Sequence, residues 1–131
     1  MVYILDASAF LAYLNLEDKS QKVADLFAQA VTKDRPLFIS ALNWAEVAFK
    51  IQQYKGGPYW NQLREQFKTH PLHIVPVTQD IAEGAADLKH QYKLGLADAI
   101  AAALTKQQGA VLITKDTDFK VLDKVIKILW I

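Results

Sequence analysis

The sequence contains no cysteine. This absence excludes disulfide frameworks, thiolate metal sites and thiol redox motifs, and it fits a protein of the reducing cytoplasm, which is where we expect this one. An excess of positive charge is also absent, because 15 lysines and arginines face 14 acidic residues and the formal net charge is +1. No global basic field is present, so any contact with a polyanion must be local.

Long apolar runs are absent as well. No stretch of the sequence approaches the roughly 18 apolar residues of a membrane-spanning helix. The opening stretch "MVYILDAS" reaches Asp6 without a basic region or a long apolar core, so we expect neither a signal peptide nor contact with a membrane. With 131 residues, 52% hydrophobic and 22% charged, the chain is expected to form one globular domain over residues 1–131.

Short β-branched runs alternate with longer segments of helical periodicity. This alternation predicts an α/β fold in which helices cover both faces of a parallel sheet. The stretch "AFLAYLNL" (9–16) is more apolar than one helix needs, which fits either core or a partner surface. The predicted strands are 2–5, 36–40, 72–77, 110–114 and 125–131, and the predicted helices are 6–14, 19–33, 41–54, 58–69, 79–92 and 96–108.

Acidic residues fall at one edge of this predicted sheet. Asp6 follows the first strand, Asp116 and Asp118 follow the fourth, Glu46 lies in the second turn of the helix after the second strand, and Asp98 begins the helix before the fourth. Crossover helices run antiparallel to the strands, so such helix starts lie at the carboxyl edge of the sheet. Ligands of open parallel sheets bind at that edge.

Each acid also has a purely structural interpretation. Asp6 can cap a helix, Asp116 or Asp118 can serve a turn, and Asp98 gains about 0.3–1 kcal/mol from a helix dipole. Glu46 has almost exclusively apolar neighbours, however, and Asp98 is the only charge between Lys93 and Lys106. Burying such carboxylates requires a cation or a raised pKa. Without cysteine, oxygen ligands indicate Mg²⁺ or Mn²⁺ and phosphodiester hydrolysis.

The stretches "YILDASAFLAYL", "ISALNWAEVAFK", "LGLADAIAAAL" and "LITKDTDF" resemble, in order and spacing, the four acidic motifs of the PIN domain. More narrowly they resemble the VapC-type toxins of bacterial toxin–antitoxin pairs. The resemblance implies a single-domain α/β/α sandwich with a five-stranded parallel sheet. It makes catalytic metal ligands of Asp6, Glu46, Asp98 and Asp116, and supporting residues around them of Ser8, Thr114 and Asp118.

The resemblance also implies an activity and partners. The expected activity is that of a Mg²⁺-dependent endoribonuclease, with Mn²⁺ able to substitute, in which Asp6 and Asp98 hold the principal ion and Glu46 and Asp116 complete the site. The expected partners are an RNA substrate, a VapB-like antitoxin and a second copy of the chain in a homodimer.

Basic and aromatic residues could guide an RNA strand to this edge. Lys50, Arg64 and Lys93 are candidate phosphate contacts, with Tyr54, Tyr59 and Trp60 as candidate stacking partners. The alternative is that these residues belong to ordinary solvated helix faces.

Two functions without nuclease activity compete with this interpretation. A receiver-like regulatory module would carry an acidic pair after the first strand and an acceptor aspartate after the third, whereas here the third strand ends in "PVTQD". The second competitor is a PIN fold that serves only as a binding module.

Overall fold

Five parallel strands form the centre of the computed structural model, which describes residues 1–15 and 17–131. The order β3-β2-β1-β4-β5 places β1 in the middle, and every neighbouring pair is parallel. The predicted α/β class and five-stranded parallel sheet are confirmed. The strands are β1 (Tyr3–Leu5), β2 (Leu37–Ser40), β3 (Leu72–Val75), β4 (Val111–Thr114) and β5 (Lys127–Trp130).

Six helices connect these strands, together with 3₁₀ turns at Asp18–Ser20 and Thr117–Leu122. Among the described residues, every helix is too short or too polar to cross a lipid bilayer. The helices are α1 (Ala7–Leu14), α2 (Gln21–Lys33), α3 (Ala41–Lys55), α4 (Gly57–Phe67), α5 (Gln79–Tyr92) and α6 (Leu96–Gln108).

Local side-chain chemistry sets several of these boundaries. The Ser40 hydroxyl accepts the Asn43 N–H (3.0 Å) and begins α3, and the Thr78 hydroxyl accepts the Ile81 N–H (3.3 Å) and begins α5. Gly109 ends α6 in the left-handed region, with φ at 56°. These boundaries lie within about three residues of those predicted from the sequence.

The central strands are covered on both faces. In β1, Ile4 packs with α5 and α6, whereas Leu5 packs with the helices α1 to α4 on the opposite face. In β4, Leu112 and Ile113 divide in the same way. Burial on both faces explains why these strands read as continuous apolar runs without alternation.

An aromatic cluster fills the core beneath α1 and α3. Phe10 is fully buried and packs against Phe67 and Trp44, and Trp44 in turn packs against Trp60 with ring centroids 5.2 Å apart. Trp60 is only 6% exposed. The expectation that Trp60 stacks on RNA bases is therefore wrong, because its ring belongs to the core.

The apolar stretch 9–16 likewise serves the core wherever it is described. Ala9, Phe10 and Ala12 are buried, and Leu11, Tyr13 and Leu14 pack partly buried against the same cluster. Its last residue, Leu16, lies outside the described residues.

The strand order also decides between competing folds. Receiver-like folds have the order 2-1-3-4-5, in which the third strand is central. Here β3 lies at the edge of the sheet. The receiver-like alternative is therefore wrong.

Candidate metal centre

The acidic residues meet at the point where the strand order reverses. From β1 the sheet continues to β2 and β3 on one side and to β4 and β5 on the other. Asp6 directly follows β1 and Asp116 lies two residues after β4, so both border the crevice outside the carboxyl ends of these strands.

Asp6 lies at the base of this crevice and is only 2% exposed. Its Oδ1 accepts hydrogen bonds from the Ser8 hydroxyl (2.7 Å) and the Ala9 N–H (2.8 Å), and its Oδ2 accepts one from the Thr114 hydroxyl (2.5 Å). Asp6 is thus a helix cap, as its structural interpretation proposed, and it also joins β1 to β4.

These hydrogen bonds do not compensate for the burial of Asp6. Burial raises the pKa of the Asp6 carboxyl, and the bonds from Thr114, Ala9 and Ser8 only partly oppose that rise. The neighbouring charge of Asp116 raises the pKa further. The ionised form of Asp6 therefore still lacks a full counter-charge.

Three further carboxylates lie above Asp6. Asp98, Asp116 and Asp118 each offer one oxygen, and these three oxygens all lie within 4.8 Å of one another. Asp98 and Asp116 are half-buried and Asp118 is exposed. The Asp116 Oδ1 accepts the Asp118 N–H (2.9 Å), which fixes the turn that presents both side chains.

Asp98 reports the electrostatics of the whole group. Its pKa is raised from 3.8 to about 7, first by burial and then by the charges of Asp116, Asp6, Glu46 and Asp118. The first turn of α6 would by itself favour an ionised carboxylate. Because the pKa rises nonetheless, burial and like charge outweigh the helix dipole.

The structure therefore brings every acid proposed from the sequence into one electrostatic cluster. Ser8 and Thr114 both contact Asp6, and Glu46 lies half-buried on α3. One arrangement differs from the sequence-based expectation. The trio within reach of a single ion contains Asp118, which was expected to be a supporting residue, and does not contain Asp6 or Glu46.

Two residues that the sequence did not single out also border the site. The buried side chain of Asn43 bonds to Ala7 and Ala97, the neighbours of Asp6 and Asp98. The Lys115 N–H donates to the Ser8 hydroxyl (3.2 Å). The polar residue three positions before Glu46, in an otherwise apolar stretch, was the available signal for Asn43.

A groove of about 450 Å³ opens from the acidic cluster at Ser8 and runs between α1 and α3. Lys50, Lys55, Lys115 and the exposed Tyr54 line it. The Lys115 ammonium pairs with the Glu17 carboxylate (2.5 Å). Two lysines thus give the groove a local positive charge in a nearly neutral protein.

The other predicted RNA contacts lie elsewhere. Arg64 is exposed on α4 and faces Asn61 at 3.5 Å, and Lys93 is exposed at the end of α5 in the left-handed region, with φ at 57°. Neither residue lines the groove beside Ser8, whereas Lys50 does.

The donor set suits a hard divalent cation. Asp98, Asp116 and Asp118 supply carboxylate oxygens without nitrogen or sulfur, the ligand type that Mg²⁺ and Mn²⁺ take. The raised pKa of Asp98 shows that the site has surplus negative charge for an ion to neutralise. The residues therefore fit such an ion.

Fold and site together define an α/β domain with a carboxylate cation site at its strand switch point. The sequence model of the PIN domain family matches residues 3–125. The chain belongs to the PIN domain family, whose members are generally nucleases. No curated protein sequence matches it.

Solved structures share this fold. A toxin–antitoxin complex from Klebsiella pneumoniae contains a chain 21% identical to this one, with a TM-score of 0.75 over 97% of this chain and 95% of that chain. VapBC2 from Rickettsia felis, bound to a promoter DNA fragment, is 17% identical, with a TM-score of 0.77 over 100% and 99%. DNA-bound VapBC from Salmonella typhimurium is 14% identical, with a TM-score of 0.78 over 99% and 98%.

The surplus charge predicts that Asp98→Asn stabilises the metal-free protein. The pKa of Asp98 is about 7 when folded and 3.8 as its ordinary value, so the folded state binds more protons between these values and stability falls as the pH rises through this window. Because Asp98 is only half-buried, solvent screening reduces the gain from Asp98→Asn to about 1–2 kcal/mol at pH 8, with almost none at pH 4. Urea unfolding in EDTA at both pH values measures this difference.

The exposed Asp87 on α5 provides the control, because Asp87→Asn should change the free energy of unfolding by less than about 0.5 kcal/mol at either pH. Equal stability of wild type and Asp98→Asn at pH 8 would contradict the electrostatic account of the cluster.

Proposed function

We propose that this PIN domain is a Mg²⁺-dependent endoribonuclease, with Mn²⁺ able to substitute for Mg²⁺. The observation that carries the proposal is the convergence of Asp98, Asp116 and Asp118 within 4.8 Å, where the neighbouring acids raise the pKa of Asp98 to about 7. A structural role alone would favour dispersing these charges. A cation neutralises them, and a phosphodiester brings its own negative charge to that cation.

Asp98, Asp116 and Asp118 would hold the ion, with Asp6 and Glu46 completing the negative field around it. Bound there, Mg²⁺ would polarise the scissile phosphate and lower the pKa of the attacking water. A carboxylate that does not hold the ion can accept the proton of that water.

Ser8 and Thr114 act as orienting donors in this mechanism. The Ser8 hydroxyl donates to Asp6 and accepts the Lys115 N–H, and the Thr114 hydroxyl donates to Asp6 and accepts the Asp116 N–H at 2.9 Å. Both hydroxyls are therefore occupied in fixing carboxylates, which favours water over serine as the nucleophile.

The lysine-lined groove supports a single-stranded RNA substrate. Lys50 and Lys55 can contact backbone phosphates, and the exposed ring of Tyr54 can stack on a base. Lys93 would contact RNA near Asp98, because it lies two residues before Gly95, which begins α6. Arg64 would contact a more distant phosphate.

We further propose that the chain is the toxin of a VapBC-type pair, silenced by a VapB-like antitoxin and active as a homodimer in the cytoplasm. The family match, the toxin–antitoxin complexes among chains of the same fold and the coverage of nearly the whole chain in each comparison support this role.

Asp98→Asn and Asp116→Asn should each lower kcat for RNA cleavage at least about 100-fold, because each removes a charge that holds the ion. Cleavage of a labelled RNA by the purified chain, with Mg²⁺, with Mn²⁺ and with EDTA, measures this loss. Asp87→Asn, an exposed acid on α5, should cleave as wild type does. A wild-type chain that binds RNA without cleaving it would instead indicate a binding module.

Lys50→Ala/Lys55→Ala should weaken RNA binding and lower the dependence of log Kd on log salt by about 1.4, since each lost phosphate contact on a single strand accounts for about 0.7. Fluorescence anisotropy with RNA in EDTA between 50 and 300 mM salt, a range set by roughly one Debye length, measures the slope. Lys33→Ala/Lys106→Ala makes the same change of charge in the last turns of α2 and α6 and should leave the slope unchanged.

Expression of the chain alone should arrest the growth of a bacterial host, whereas Asp98→Asn expressed to the same level should not, because arrest requires RNA cleavage. Co-expression of the adjacent reading frame should restore growth. Equal arrest by wild type and Asp98→Asn would contradict a toxic role through this site.

A further inference from the structure

Asn43 is the buried amide that joins the helices carrying the acids. It lies in the first turn of α3 and is 1% exposed. Its Oδ1 accepts the Ala7 N–H (3.2 Å), and its Nδ2 donates to the Ser40 hydroxyl (2.7 Å) and to the Ala97 carbonyl (3.4 Å). Both polar atoms of its side chain are therefore satisfied inside the protein.

The chemistry of the partners requires a carboxamide at this position. Ala7 presents a donor and Ala97 presents an acceptor, so the bridging side chain must accept on one side and donate on the other. An aspartate could not donate to Ala97, and an apolar side chain of the same size would leave both backbone groups without a partner.

Each group that Asn43 contacts adjoins an acid. Ala7 directly follows Asp6, Ala97 directly precedes Asp98, and Glu46 lies one turn further along the helix of Asn43 itself. One side chain thus ties together the starts of α1, α3 and α6. The carboxylates at these starts repel one another when no cation is present.

We propose that Asn43 is a positioning residue that fixes the separation of Asp6, Glu46 and Asp98 and thereby sets the affinity of the site for a divalent cation. This inference rests on the proposed function, because it assumes that the acids bind such an ion. It assigns to a neutral buried side chain a role that neither ligand chemistry nor contact with RNA would reveal.

Asn43→Ala should weaken Mn²⁺ binding about 10- to 100-fold, the range typical of residues that orient metal ligands. Titration calorimetry with MnCl₂ on the metal-free chain measures the affinity, and calorimetric unfolding measures Tm. Thr105→Ala is the matched control, because Thr105 is 1% exposed and its hydroxyl donates to the Ala101 carbonyl (2.8 Å) within α6. It should lower Tm without changing the Mn²⁺ affinity by more than about twofold, since Thr105 is remote from the acids.

RNA affinity in EDTA should be unchanged in Asn43→Ala, because Lys50 and Lys55 remain in place. If Asn43→Ala does not fold, Asn43→Ser carries the same test with a smaller loss of side-chain volume. A third measurement needs no variant: in wild type, the NMR signals of the Asn43 side-chain NH₂ should shift during a Mg²⁺ titration with the same Kd as the Asp98 backbone amide.

The outcomes separate this inference from the proposed function. Wild-type Mn²⁺ affinity in Asn43→Ala or Asn43→Ser, or Asn43 side-chain signals that do not move while Mg²⁺ saturates the site, would overturn the role of Asn43 and leave the metal site intact. A wild-type chain that binds neither Mn²⁺ nor Mg²⁺ would overturn the proposed function and with it the role of Asn43.

Discussion

Parallel pairing of β1 with β4 places the ends of the two central strands side by side. Leu5 pairs with Ile113, and the Asp6 N–H continues the ladder to the Ile113 carbonyl at 3.2 Å. The next residues along each strand therefore meet, so that the Thr114 hydroxyl reaches Asp6 although 108 positions separate them. Neither strand alone contains a site. The crevice exists because the sheet reverses its order at this pair.

Concentrating carboxylates in this crevice opposes folding, and the surrounding structure must withstand their repulsion. The helix α6 helps because Ala99, Ala101, Ala102 and Ala103 are all buried, and their small side chains let it pack closely. The same close packing removes water from Asp98 and raises its pKa. Stability and ion binding are thus in conflict in the metal-free protein, and an ion resolves the conflict by supplying the missing charge.

Charge of the opposite sign is confined to one wall beside the site. Lys50 and Lys55 follow Glu46 on α3, so one helix carries an acid toward the crevice and lysines toward the groove. The pair between Lys115 and Glu17 is half-exposed and contributes little to stability, but it neutralises the third lysine. A near-zero net charge therefore conceals an acidic centre next to a basic groove, and composition alone could not reveal either of them.

The sequence by itself determined the helices, the strands and the edge at which the acids gather, because periodicity, caps such as Ser40 and the right-handed alternation of strands and helices are local properties. Only the tertiary structure decided which acids share an ion, that Trp60 is core and that Asn43 bridges three helices. These outcomes depend on distances between segments far apart in the chain. A difference of a few ångströms there separates a ligand from a neighbour, and no local pattern encodes it.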